Sequence, residues 1–127
     1  MHALTDVTGF GLLGHLLEIC RASGIGASLD FGLLPLHPDV VELARSGAVT
    51  GASSRNWASY GEQIDLGRAV DETKRTLLTD PQTSGGLLVA CAPEALPSVL
   101  GVFRDEGFRQ AAVIGECVAG EPRVVVR

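Results

Sequence analysis

Leu12, Leu13, Leu16, Leu17 and Cys20 recur at helical spacing, beginning among three closely placed glycines, Gly9, Gly11 and Gly14. Apolar residues at such spacing make one face of a helix, and that face must be buried against another layer. His15, Glu18 and Arg21 fall mostly on the other side. There His15 and Glu18, spaced i, i+3, could share a metal, but they are expected at the surface, with Glu18 and Arg21 as an ordinary helix ion pair. Gly24, just after Ser23, is placed to end the helix in the left-handed conformation.

The remaining chain alternates short apolar runs with helical patterns. Residues 27–34 read as one or two short strands broken at 30–32. Pro38 and Asp39 open a short helix over 40–45 that stops at Gly47. The stretch 47–67 is rich in Gly and Ser and reads as a long irregular connection, a length at which loops are often functional or mobile. Residues 68–77 read as a mostly polar helix, and 86–91 (GLLVAC) as a buried strand. Pro93 suits a helix start, with Leu96, Val99, Leu100 and Phe103 as its buried stripe and Gly107 as its cap. Residues 111–118 and 123–126 read as a hairpin turning at 119–122. This succession predicts an α+β fold, a mixed β-sheet with helices packed on it.

A chain of 127 residues is expected to form one domain over 1–127, burying about two-thirds of its unfolded surface without staples. Ten basic against fifteen acidic side chains give a net charge of −5. That balance excludes a general binder of nucleic acid or anionic membrane, which needs clustered positive charge. Cys20, Cys91 and Cys117 form no CxxC and no zinc spacing, so each is expected to be a small core residue. No signal segment or bilayer-length apolar run is present, and a reduced, soluble, cytoplasmic domain is expected.

Sixteen glycines are nearly double ordinary usage. Gly9, Gly11 and Gly14 spell G-x-G-x-x-G, with Asp30 about twenty residues on, as a dinucleotide fingerprint requires. That fingerprint also needs a preceding buried strand inside a βαβ unit. Only eight residues precede Gly9, and none of that context is readable. Two general readings of this cluster stand side by side. Small residues before a helix N-terminus let an anion reach free N–H groups, with Asp6 as a carboxylate for Mg²⁺ bridging phosphates. Alternatively, Thr8 or Asp6 caps the helix and the glycines serve close packing. A second cluster, Asp80-Pro81-Gln82-Thr83-Ser84-Gly85-Gly86, could present hydroxyls and N–H groups to phosphate, or be an ordinary turn entering a strand. Arg55 offers a phosphate-binding fork, and the plainer reading is a solvated loop with Trp57 anchoring it to the core. Lys74, the only lysine, lies in a charged run expected to be a solvated helix face.

Together, TDVTGFGLLGHLLE, the Arg55-Asn56-Trp57 segment, LLTDPQTSGGLLVA and the closing VIGECVAGEPRVVV resemble the C-terminal half of the selenophosphate synthetases (selenide, water dikinases), in this order and spacing. That family belongs to the aminoimidazole ribonucleotide synthetase superfamily. The resemblance implies an enzyme making selenophosphate from selenide, ATP and water, with AMP and phosphate released. It implies that Asp6 is a Mg²⁺ ligand. It also implies that Thr8, Gly9 and Gly11, with Thr83, Ser84 and Gly85, lie toward an ATP cleft shared with an N-terminal half. That half is implied to build a homodimer and to carry the nucleophilic Cys or selenocysteine and its partner Lys. Cys20, Cys91, Cys117 and Lys74 do not match those positions. The chain is therefore expected to be about half of a subunit, with no catalytic residue of its own, inactive alone, and weak or silent toward Mg-ATP. The competing expectation is a stand-alone α+β regulatory or small-molecule-binding module that keeps the fold without the chemistry.

Overall fold

A computed structural model describes residues 2–37, 39–47, 51–82 and 86–127. The chain runs β1 (Ala3–Asp6), α1 (Gly11–Ser23), β2 (Gly26–Leu29), α2 (Val40–Arg45), α3 (Gly51–Tyr60), β3 (Ile64–Leu66), α4 (Glu72–Thr79), β4 (Leu87–Ala90), α5 (Leu96–Asp105), β5 (Gly115–Val118) and β6 (Val124–Val126). Helices pack with sheets in an α+β arrangement, as the alternation predicts. The strands form two sheets: an antiparallel pair β1–β4 and a four-stranded mixed sheet in the order β3-β6-β2-β5.

The leucine stripe is the centre of the fold. Leu13, Leu16, Leu17 and Cys20 of α1 are buried among Ala27 and Leu29 of β2, Val124 and Val126 of β6, and Ile64 of β3. Strand alternation explains the match: Ala27 pairs with Val124 and Leu29 with Val126, so their side chains share one face. Gly24 ends α1 at φ 66°, and Gly47 and Gly107 follow α2 and α5 at φ 95° and 93°. A side chain with a Cβ is disfavoured there, which makes these stops readable in sequence.

Several expectations change. Residues 31–33 form a 3₁₀ turn rather than a second strand, because the Asp30 carboxylate accepts the Gly32 N–H and bends the chain. The expected irregular stretch 47–67 contains α3 and β3, although 48–50 lie outside the described residues. The α2 helix occurs at 40–45 as expected, while Pro38 at its expected start also lies outside them. Strand β4 is not buried throughout: Leu88 is buried, but Leu87 is 57% exposed on the open face of the two-stranded sheet. The stripe on α5 is one-sided but only half-buried. The segments 115–118 and 124–126 are not a hairpin, since β2 lies between them, antiparallel to β5 and parallel to β6. Insertion of β2 buries Val124 and Val126 against Ala27 and Leu29, which a free hairpin leaves in water. Of the cysteines only Cys20 is a core residue. Cys91 is half-buried and Cys117 is exposed on edge strand β5.

Candidate functional site

The segment between β1 and α1 carries Asp6, Thr8, Gly9 and Gly11, and its Val7 and Gly11 N–H groups and its Thr8, Gly9 and Phe10 carbonyls are tied down. The Val7 N–H donates to the Gly86 carbonyl at 2.9 Å, continuing the β1–β4 ladder. The Thr8 carbonyl accepts from Gly11 N–H at 3.1 Å and from Gln82 N–H at 3.0 Å. The Asn56 side chain donates to the Gly9 carbonyl at 3.0 Å, and the Tyr60 hydroxyl donates to the Phe10 carbonyl at 2.6 Å. The described parts of the sequence clusters around 5–15, 55–57 and 80–86 therefore meet at one corner of the fold. Residues 83–85, which include the expected Thr83, Ser84 and Gly85, lie outside the described residues.

Helix α3 supplies the clamp. Ser53, Asn56 and Tyr60 recur at helical spacing and face α1 and α4. The Ser53 hydroxyl lies 2.6 Å from that of Thr79 and donates to the Thr76 carbonyl at 2.9 Å. Asn56 also donates to the Thr79 carbonyl at 2.9 Å. Gly11 closes the corner: it sits at φ 72°, and a Cβ there would come 2.7 Å from the Thr79 carbonyl carbon. Only glycine accepts both that backbone and that approach. Gly14 leaves room for Phe10 and Tyr60, since its Cβ would fall 2.6 Å from the Phe10 Cβ. Burial pushes the Tyr60 hydroxyl well above its ordinary range, so it remains a donor.

Two parts of the corner remain open. Gly9 is exposed, with nothing within 4 Å of an added Cβ. The first turn of α1 has no side-chain cap, its N-cap being Phe10, so neither Thr8 nor Asp6 caps the helix. The Asp6 carboxylate is exposed at the end of β1 and makes no hydrogen bond or ion pair with any described residue. Asp80, at the end of α4, is half-buried. Burial pushes its carboxyl up, partly offset by the Gln82 amide, which donates to it at 3.0 Å. Among the described residues no three His, Cys, Asp or Glu side chains converge as a metal site.

Other candidates take different places. His15 is not a surface residue: it is 7% exposed, with Nε2 3.0 Å from the Thr8 hydroxyl and Nδ1 3.5 Å from a Glu18 carboxylate oxygen. Arg21 donates to Gln63 instead of pairing with Glu18. Arg55 is exposed, whereas Trp57 is half-buried beneath the Arg75 guanidinium, 5.0 Å from the ring centre. The Lys74 ammonium is bound rather than free in water, donating to the Ala69 carbonyl at 2.9 Å and lying 5.2 Å from the Phe31 ring centre. Strand β1 does precede the G-x-G-x-x-G run, but it pairs with β4 in a separate sheet, so β1, α1 and β2 make no βαβ unit. Asp30 is committed to its own turn.

A family model described as "AIR synthase related protein, C-terminal domain" matches residues 1–127. The chain belongs to this family. It is similar to proteins named selenide, water dikinase: 60% identical over 126 residues to that of Paraburkholderia xenovorans (strain LB400), and 58% to that of Burkholderia pseudomallei (strain K96243). The counterpart of Pseudomonas straminea is 56% identical over the same length. Each match covers 99% of this chain and 35–36% of the relative. The chain thus spans a little over a third of the relatives' length, less than the half expected from the sequence. In this AIR synthase related domain, the residues that sequence reading missed are the clamp, Ser53, Asn56, Tyr60 and Thr79. The signal was present as i, i+3, i+7 spacing from Ser53. Ser53 is buried and Asn56 half-buried, and both are polar, so an apolar-period reading passes over the pattern.

Proposed function

We propose that residues 1–127 are a single domain, the C-terminal part of a selenophosphate synthetase. The whole enzyme makes selenophosphate from selenide, ATP and water, releasing AMP and phosphate. Identity of 60% across 126 residues to a selenide, water dikinase carries this reading. No helix among the described residues is long and apolar enough to cross a membrane, which agrees with a cytoplasmic enzyme.

The open corner suits a phosphate-facing role. Gly9 leaves the backbone accessible, and the uncapped N–H groups of α1 favour an anion. Gly11 acts by letting the loop close on Thr79. Thr83, Ser84 and Gly85 are proposed to complete the phosphate side. Mg²⁺ takes hard oxygen ligands, commonly one or two carboxylates with phosphates and waters. The exposed Asp6 carboxylate, which pairs with no described residue, fits one such position, and the rest of the shell would fall to substrate and to the N-terminal half. When bound, the ion neutralises charge between phosphate oxygens. This chain's own part is to hold the Asp6 oxygen and the Thr8–Gly9 backbone in fixed relation. The catalytic nucleophile, its lysine and the homodimer contacts belong to the N-terminal half, and the chain alone is inactive.

Calorimetric titration with Mg-ATP tests the assignment. The 127-residue chain is expected to bind weakly or not at all, and the full-length protein measurably. Low-micromolar binding by the chain alone contradicts the shared cleft. Asp6→Asn in the full-length protein is expected to depress metal-dependent selenophosphate formation without unfolding it; wild-type turnover removes Asp6 from the site.

A further inference from the structure

Among the described residues, His15 is a buried titratable side chain beside the Asp6–Gly11 loop that the proposed function leaves unused. Its side chain is 91% buried against solvent, and its Nδ1 has no hydrogen-bond partner among the described residues. A buried, unpartnered ring nitrogen is costly and calls for a reason. The Phe10 ring packs beside the imidazole, a contact that any aromatic ring supplies, so packing does not account for the two nitrogens. Three contacts frame the ring. Nε2 lies 3.0 Å from the Thr8 hydroxyl, Nδ1 lies 3.5 Å from a Glu18 carboxylate oxygen, and the Phe10 ring centre lies 5.7 Å from that of the imidazole.

A neutral imidazole has one N–H and one lone pair. The carboxylate beside Nδ1 is an acceptor only, so the hydrogen is favoured on Nδ1 and the lone pair on Nε2. Nε2 then accepts the single hydroxyl hydrogen of Thr8. We propose that His15, backed by Glu18, is a positioning residue that commits the Thr8 hydroxyl hydrogen inward and leaves Thr8 Oγ1 an acceptor toward ligand. A phosphate oxygen needs a donor, so this oxygen is mismatched to it. It matches a hard cation or the water such a cation carries, on the same loop as Asp6. The sequence reading of this loop paired N–H groups for an anion with Asp6 for Mg²⁺, and the Thr8 hydroxyl oxygen joins the Asp6 side of that division. The backbone N–H groups would hold phosphate, and the side-chain oxygens of Asp6 and Thr8 would suit Mg²⁺ or its water. This inference rests on the proposed Mg-ATP role of the corner.

The polarity of the bond is measured without nucleotide, by ¹⁵N NMR of the His15 ring in the 127-residue chain. Hydrogen on Nδ1 alone is expected. Hydrogen on Nε2, alone or on both nitrogens, overturns the inference whatever the protein binds. The consequence is measured in the full-length protein, as the Mg²⁺ concentration needed for half-maximal binding of a non-hydrolysable ATP analogue. Thr8→Val and His15→Phe are each expected to raise it about 2- to 10-fold, the worth of one hydrogen bond. The double variant should be no worse than either single one. Thr8→Ser and His15→Gln, which keep a hydroxyl and an acceptor, are expected to restore it. A merely structural His15 would lower the melting temperature without coupling to Thr8. Additive effects, or an unchanged Mg²⁺ requirement, overturn the inference. No binding of Mg-nucleotide by the wild-type full-length protein, with hydrogen still on Nδ1, overturns the proposed function and the cation role of Thr8 together.

Discussion

The Asn56 side-chain nitrogen lies 3.0 Å from the Gly9 carbonyl oxygen, so helix α3 holds an exposed residue of the β1–α1 loop. The same nitrogen also donates to the Thr79 carbonyl at 2.9 Å. One amide group thus fastens the loop to the end of α4. Asn56→Ala removes two hydrogen bonds and leaves two carbonyls without that donor. A loss of about 1–3 kcal/mol is expected, read as a lower urea midpoint with unchanged slope. A midpoint equal to wild type would mean water replaces the amide without cost.

Gly9 and Gly11 are two residues apart and predict opposite outcomes. Gly11→Ala places a Cβ 2.7 Å from the Thr79 backbone at φ 72° and is expected to cost about 2 kcal/mol or more. Gly9→Ala meets nothing within 4 Å, and its stability should stay within about 0.5 kcal/mol of wild type. Any loss of Mg-ATP binding by full-length Gly9→Ala would then report ligand approach rather than folding. Thermal melts of both variants separate the two roles.

Burial raises the Asp80 carboxyl, so the folded chain holds this proton more tightly than the unfolded chain does. Stability from this group is present below the ordinary carboxylate range and is lost as pH rises through the raised folded value. Asp80→Asn is expected to stabilise the chain near pH 7 and to change nothing near pH 3, about a unit below the ordinary carboxylate value. Urea midpoints at both pH values check it; a gain confined to acid pH would reverse the sign.

Cys20 and Cys117 should differ sharply toward iodoacetamide. Burial, with a smaller contribution from Cys117, pushes the Cys20 thiol up and keeps it protonated inside the core. Cys117 lies exposed on β5. Mass spectrometry of the folded chain is expected to find Cys117 alkylated first and Cys20 protected until denaturant is added. Equal rates would place Cys20 outside the core.

The sequence by itself determined what depends on local geometry. The stripe Leu13, Leu16, Leu17 and Cys20 specified α1, and Gly24, Gly47 and Gly107 marked helix stops because only glycine adopts their conformation cheaply. The motifs at 5–15 and 80–86 were legible as loops fit for a ligand, and their resemblance pointed to the family. Tertiary structure decided what depends on partners distant in the chain. Strand β2 enters between β5 and β6 because Ala27 and Leu29 bury the alternate valines of β6. Asn56 joins Gly9 to Thr79, and His15 turns from an apparent surface residue into the buried partner of Thr8. Polar side chains carry no hydrophobic period. Their burial becomes visible only when the fold brings a carbonyl or hydroxyl within 3 Å or so.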